Sequence, residues 1–221
     1  MSAPASGDAR ALLAAALRRT PVVGIIRLAE GHSAVPAAEA LWRGGVHAVE
    51  VTLTTPGATE AIRALRDRER SPAEAGIVGA GSVRTAADAT AAIAAGARFL
   101  VTPTFQRAVL DIAAAEDVPV MCGALTPTEL DSAAMAGADY LKLFPASAFG
   151  PGYLKELLAP MPELKIVPTG GITADNLPAW AAAGATAVAA GSELVPAGLV
   201  AAGEWESLTS LAERFARTWP R

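Results

Sequence analysis

Short apolar runs alternate along the chain with longer segments whose apolar residues recur at helical spacing. The apolar runs predict eight buried strands, at 22–27, 46–53, 77–82, 98–102, 118–123, 138–144, 164–169 and 186–191. The segments between them predict helices near 33–43, 57–70, 85–95, 105–116, 126–136, 151–159 and 174–183. A glycine follows most of these helical segments, which is the usual position of a left-handed helix cap.

The two ends of the chain extend this pattern. Asp8 to Arg19 predicts an amphipathic helix, and Trp205, Leu208, Leu211 and Phe215 lie at helical spacing in a closing helix. Residues 1–7 are small, polar and proline-containing, and we expect them to be disordered. No linker rich in glycine, serine or charge interrupts the rest, so 8–221 is predicted to be a single domain.

The regular alternation of strands and helices predicts a parallel sheet covered by helices. Eight such units suit a (β/α)8 TIM barrel with extra helices at both termini, and a doubly wound open sheet is the alternative. Polar residues on the inward faces of several strands favour the barrel. In a barrel these side chains converge on one axis, whereas in an open sheet they would lie under helices.

Lys142 lies in the middle of the apolar strand at 138–144 and shares one face of it with Tyr140 and Phe144. Burying an ammonium group costs free energy and favours the neutral amine, which is the form that a Schiff-base nucleophile needs. The chain has only three lysines beside fifteen arginines. Because nearly all of its cationic residues are arginines, a lysine inside an apolar strand is not readily explained by chance. The alternative is a strand-end lysine whose head reaches water.

The second strand alternates cleanly, with Glu50, Thr52 and Thr54 on one face and apolar residues on the other. Because the apolar face must contact helices, Glu50 is predicted to point into the barrel. A buried glutamate beside Lys142 would form an acid/base pair in which each group perturbs the other. A purely structural ion pair is the alternative, although such pairs rarely add stability over apolar packing.

Barrel active sites are built at the carboxyl ends of the strands. Besides Lys142 and Glu50, the residues that we take from these ends as substrate-binding candidates are Arg27, Thr54, Ser82, Pro103, Phe144, Thr169, Gly170, Gly171, Gly191 and Ser192. The glycine turns at 169–171 and 191–192 follow strands seven and eight, the usual position of a barrel phosphate site.

Several classes of function are disfavoured. His32 and His47 have no paired ligand spacing, so we expect solvated or locally hydrogen-bonded roles for both and no metal. The segment 79–84 lacks the third glycine of a dinucleotide fingerprint, and no cofactor is predicted. A net charge of −4 argues against nucleic acid, and no apolar run is long enough for a membrane span. The single cysteine, Cys122, reads as a small buried hydrophobe and fits a cytoplasmic protein.

An ordered set of motifs resembles the 2-keto-3-deoxy-6-phosphogluconate (KDPG) and 4-hydroxy-2-oxoglutarate (KHG) aldolases. The matching segments are Gly44-Gly45-Val46, Glu50-Val51-Thr52-Leu53, Gly79-Ala80-Gly81-Ser82, Leu141-Lys142-Leu143-Phe144-Pro145-Ala146, Pro168-Thr169-Gly170-Gly171-Ile172 and Gly191-Ser192-Glu193-Leu194-Val195. Ser147-Ala148-Phe149-Gly150-Pro151 is similar to the 6-phosphogalactonate branch of the same family.

The resemblance implies a metal-independent class I aldolase, usually a homotrimer, that releases pyruvate and an aldehyde from a keto-acid substrate. Lys142 falls on the family's Schiff-base lysine and Glu50 on its general acid/base. Arg27 and Thr169 match positions near the pyruvate carboxylate, and Ser82 stands where threonine is usual. Two other interpretations remain from the residues: a phosphosugar epimerase or isomerase without a Schiff base, and a non-catalytic binding protein for sugar acids.

One position departs from the family pattern. The family commonly reads Glu-Val-Thr-Leu-Arg-Thr, with the arginine on the distal phosphate or carboxylate of the substrate, and this chain has Thr54 there. A neutral hydroxyl cannot replace a bidentate cation. Backbone amides with another arginine, such as Arg84, could take over that role, or the preferred aldehyde differs.

Overall fold

The computed structural model describes residues 7–68 and 76–220. Its eight parallel strands are β1 (Val22–Ile26), β2 (Ala48–Thr52), β3 (Ile77–Gly81), β4 (Leu100–Val101), β5 (Val120–Ala124), β6 (Tyr140–Leu143), β7 (Ile166–Pro168) and β8 (Val188–Ala190). They pair in the order β7-β6-β5-β4-β3-β2-β1-β8. A bridge between Thr169 and Ala189 joins the two ends of this sheet, which confirms the predicted TIM barrel.

Helices follow the strands around the outside of the barrel. They are α1 (Gly7–Arg19), α2 (Ala34–Arg43), α3 (Ala58–Arg66), α4 (Ala86–Ala94), α5 (Arg107–Ala115), α6 (Pro127–Met135), α7 (Pro151–Leu158), α8 (Leu177–Ala182), α9 (Ala197–Ala202) and α10 (Trp205–Thr218). The sequence pattern did not predict α9 or the short 3-10 turn at Ala146–Ala148. Residues 1–6 of the segment expected to be disordered, and the last two positions of the helix predicted at 57–70, lie outside the described residues.

Strand alternation divides the apolar side chains into two layers. Residues such as Val49, Val51 and Leu141 face outward and form the main core with the helices. The intervening residues fill the barrel interior, as Val23, Phe99, Met121, Tyr140 and Val167 do. This is the pattern expected of a packed barrel with a polar site at one end only.

Helix α1 lies across the amino-terminal end of the barrel. Its Leu13, Ala16 and Leu17 pack against the interior cluster. Arg10 of the same helix pairs with Asp117 and Asp139, which precede β5 and β6. The helix therefore covers the end of the barrel opposite the predicted site.

Glycines take up the left-handed conformation after four helices, as predicted, at Gly45, Gly96, Gly137 and Gly184. Gly76 belongs to the same sequence pattern. A Cβ there would overlap the indole of Trp42, so close packing accounts for this glycine. Within 7–68 and 76–220, no helix has the length and apolar character needed to cross a membrane.

Candidate active site

A cavity of about 310 Å³ opens at the carboxyl ends of the strands. Ten of the twelve site residues predicted from the sequence line it: Arg27, Ser82, Pro103, Lys142, Phe144, Thr169, Gly170, Gly171, Gly191 and Ser192. The other two, Glu50 and Thr54, do not belong to its wall. Glu50 lies buried beside Lys142, and Thr54 lies on the exposed turn that follows β2.

Lys142 reaches the cavity from the middle of β6. Its neighbours in the sheet are Gly123 on β5 and Val167 on β7. Only 6% of the residue is exposed, and Nζ lies 5.5 Å from the centre of the Phe144 ring. An amine held in such apolar surroundings, with a small opening toward the cavity, can attack a carbonyl carbon bound there.

Glu50 extends into the barrel from β2, and its Oε1 lies 3.8 Å from Lys142 Nζ. The residue is 1% exposed, and neither carboxylate oxygen has a hydrogen-bond partner among the described residues. Burial raises the pKa of Glu50, while the positive charges of Lys142 and Arg27 act in the opposite direction. A carboxyl group with these properties is suited to exchange protons during catalysis.

The space for Glu50 depends on a glycine of the next strand. A Cβ at Gly81 would overlap the carboxylate of Glu50. The adjacent Ser82 has a left-handed backbone, with φ of 57°, and lines the cavity. Strain at a non-glycine residue of this kind is characteristic of functional sites.

The far wall of the cavity consists of the two glycine turns. Gly170 and Gly171 both have positive φ, 101° and 69°, and directly follow Thr169 at the end of β7. Gly191 and Ser192 follow β8. The main-chain N–H groups of such turns can bind an anionic group of a substrate.

The turn after β2 carries Thr54, whose hydroxyl lies 3.0 Å from Thr52 Oγ1. Arg84, considered as a substitute cation, is not among the residues that line the cavity. Glu193 does line it, at the edge of the second glycine turn. Glu193 belongs to the family motif at 191–195 but is not among the site residues predicted from the sequence.

The residues predicted to have no catalytic role, His32, His47 and Cys122, do not belong to the wall of the cavity. His32 is half-buried with Nδ1 3.2 Å from the Glu30 carbonyl oxygen, and Cys122 is buried, both as expected. His47 is buried, and its Nδ1 has no partner among the described residues. Burial, with a smaller contribution from Arg19, lowers the pKa of His47. In the described ranges, no three histidine, cysteine or acidic residues are grouped as a metal site requires.

The KDPG and KHG aldolase family profile matches residues 13–211. A 2-dehydro-3-deoxy-phosphogluconate aldolase of Treponema pallidum is 36% identical over 200 residues, or 90% of this chain and 93% of the relative. The KHG/KDPG aldolase of Escherichia coli K12 is 37% identical over 197 residues, which are 87% of this chain and 89% of the relative.

A solved structure of KDPG aldolase from Legionella pneumophila superposes with a TM-score of 0.80 and 32% identity, covering 91% of this chain and 96% of that one. That structure holds pyruvate captured at low pH as a covalent carbinolamine intermediate. The family profile spans most of the chain, and the relatives match it nearly end to end. The chain therefore belongs to the KDPG and KHG aldolase family.

Proposed function

We propose that the chain is a class I aldolase in which Lys142 forms the Schiff base. Its substrate is a 2-keto-3-deoxy-6-phospho sugar acid of the phosphogluconate or phosphogalactonate type, or 4-hydroxy-2-oxoglutarate. The products are pyruvate and an aldehyde, glyceraldehyde 3-phosphate or glyoxylate. The observation that carries the proposal is the buried pair of Lys142 and Glu50, 3.8 Å apart beside the cavity, in a member of this family.

The reaction begins when the neutral amine of Lys142 attacks the C2 carbonyl of the keto acid to form a carbinolamine. Protonation of the carbinolamine hydroxyl by Glu50 releases water and leaves an iminium ion. The Glu50 carboxylate then takes the proton from the C4 hydroxyl, directly or through a water. The C3–C4 bond breaks, the aldehyde forms, and the bonding electrons are held as an enamine on Lys142. Protonation at C3 and hydrolysis of the regenerated iminium release pyruvate and the free lysine.

The remaining cavity residues are proposed to hold the two ends of the substrate. Arg27 and Thr169 bind the carboxylate next to the reacting carbonyl, since an arginine fork suits a carboxylate. The turns at Gly170-Gly171 and Gly191-Ser192 bind the distal phosphate or carboxylate. Ser82, Pro103 and Phe144 shape the space between these ends.

Two further properties are proposed, the first from the family resemblance and the second from the use of cysteine. The protein is expected to act as a homotrimer, which sedimentation of the purified chain would measure. A cytoplasmic location agrees with a single cysteine that is buried and unpaired.

Trapping with pyruvate tests the proposed function. Borohydride reduces an iminium irreversibly, so incubation of the protein with pyruvate and borohydride is expected to leave a pyruvyl group on Lys142. Mass spectrometry of the digested protein would locate it. An unmodified chain that still binds a sugar phosphate would instead support the epimerase or the binding-protein interpretation.

Substrate preference is expected to depend on Thr54. Replacing it with arginine restores the cation that the family commonly has at this position. We expect Thr54→Arg to raise kcat/KM for a phosphorylated keto acid relative to an unphosphorylated one by about 10-fold, the usual scale of one charge-assisted contact. Thr54→Gln, which adds length without charge, is the control. An equal effect of both variants would remove charge as the explanation.

A further inference from the structure

Thr55 connects the ends of two strands at the mouth of the barrel. It follows β2 at the start of the turn toward α3, and only 3% of it is exposed. Its hydroxyl accepts the N–H of Leu28 at 3.1 Å and donates to the carbonyl oxygen of Ile26 at 3.5 Å. These two main-chain groups lie immediately before and after Arg27.

The contact occurs where the regular pairing of the strands has ended. The register between β1 and β2 runs up to Ile26 opposite Val51. Leu28 is buried, so its N–H requires a partner that is not water. The Thr55 hydroxyl supplies that partner and extends the connection between the two strands by two residues.

The side chain of Thr55 is not used by the helix that it precedes. Threonine before a helix ordinarily accepts a hydrogen bond from the first turn. The N-cap of α3 is Gly57, and no side chain caps that helix. The hydroxyl is therefore committed to the neighbouring strand, where it contacts the backbone on both sides of Arg27.

A second hydroxyl supports Thr55 from within the barrel. Thr52 is completely buried, and its Oγ1 lies 3.2 Å from Thr55 Oγ1 and 3.0 Å from Thr54 Oγ1. The three hydroxyls form a continuous chain from the surface of the β2 turn to the backbone of β1. Such a network restricts the rotation of each member.

We propose that Thr55 is a positioning residue for Arg27. By holding Leu28 and Ile26, it fixes the backbone from which the guanidinium of Arg27 enters the cavity. A cation that must meet a carboxylate in one orientation gains from this restriction, because the contact is ordered before substrate arrives. This inference rests on the proposed role of Arg27 in the aldolase reaction.

The test is Thr55→Val, which removes the hydroxyl and keeps the shape of the side chain. We expect KM for the keto acid, and the pyruvate concentration for half-maximal trapping, to rise about 10-fold, because the carboxylate contact is lost from ground state and transition state alike. The value of kcat is expected to change by less than about threefold. Thr55→Ser restores the hydroxyl and is expected to return KM to the wild-type range.

Thr209→Val is the matched control. Thr209 is also buried, and its hydroxyl donates to the main-chain carbonyls of Ala40 on α2 and Trp205 on α10, neither of which lines the cavity. This control is expected to lower Tm as Thr55→Val does but to leave KM unchanged. In the background of Arg27→Ala, Thr55→Val is expected to raise KM no further, because the residue acts through Arg27.

The outcomes separate this inference from the proposed function. A wild-type KM in folded Thr55→Val, a failure of Thr55→Ser to restore KM, or full additivity with Arg27→Ala would overturn the positioning role. If the wild-type protein forms no pyruvyl adduct, the proposed function itself fails, whatever Thr55 does.

Discussion

Replacing Lys142 with alanine is expected to abolish both the pyruvyl adduct and the release of pyruvate from a keto acid. No other amine takes part in the proposed mechanism, and without a Schiff base the electrons of the C3–C4 bond have no acceptor. Turnover should fall by roughly 10⁴–10⁶-fold, the scale on which enzymes lose activity when a covalent nucleophile is removed. A coupled assay for pyruvate and mass spectrometry after borohydride treatment measure the two effects.

The control for Lys142→Ala is Lys155→Ala. Lys155 lies on the exposed face of α7, and its loss should change neither measurement. Circular dichroism would show whether each variant is folded. Substantial pyruvate release by folded Lys142→Ala would refute the Schiff-base mechanism.

Replacing Glu50 with glutamine is expected to lower kcat by roughly 10²–10⁴-fold, the usual contribution of a general acid/base. The amide has the size of the carboxyl group but can neither give nor take a proton at the required steps. Lys142 remains, so the pyruvyl adduct should still form, although more slowly. Glu156→Gln, a change on the exposed face of α7, provides the control. Unchanged kcat in Glu50→Gln would exclude Glu50 as the proton carrier.

The pH dependence should report the same group. Burial raises the pKa of Glu50 above the ordinary glutamate value of 4.5. The carboxylate needed for the C4 proton is lost as the pH falls through this raised pKa, so kcat should decline there and the decline should be absent from the residual activity of Glu50→Gln. The free energy of unfolding is expected to change with pH in the opposite direction. Because the pKa of Glu50 is raised in the folded protein, its contribution to stability is present below the ordinary glutamate pKa and is lost as the pH rises through the folded-state pKa. Relative to the wild type, Glu50→Gln should therefore be more stable at neutral pH than at low pH.

Strand periodicity was enough to predict that Lys142 and Glu50 would meet inside the barrel. Once a segment is recognised as a strand, alternation decides which side chains point inward, and this placed Lys142 and Glu50 on the same side of the sheet. The parallel arrangement then brings the carboxyl ends of the strands together. The barrel and ten of the cavity-lining residues therefore followed from local pattern and topology, before any contact was known.

Contacts that depend on register between strands were not predictable in this way. Thr55 and Leu28 are 27 positions apart and meet only through the pairing of β1 and β2. The requirement for glycine at Gly81 arises from Glu50 on the adjacent strand. The burial of His47 is a further case, because the residue lies near the end of the barrel that α1 covers and is buried by tertiary packing rather than by its own strand.

The position of α1 has a consequence for the order of events in a reaction cycle. Because this helix fills the amino-terminal end of the barrel, the described structure offers molecules a way in and out at the opposite end, past the glycine turns. In the proposed mechanism, the pyruvate half is still bonded to Lys142 when the C3–C4 bond breaks, and the aldehyde lies between it and the exit. The aldehyde therefore leaves first, and pyruvate follows after hydrolysis. In the direction of synthesis the order is reversed, and pyruvate must bind before the aldehyde.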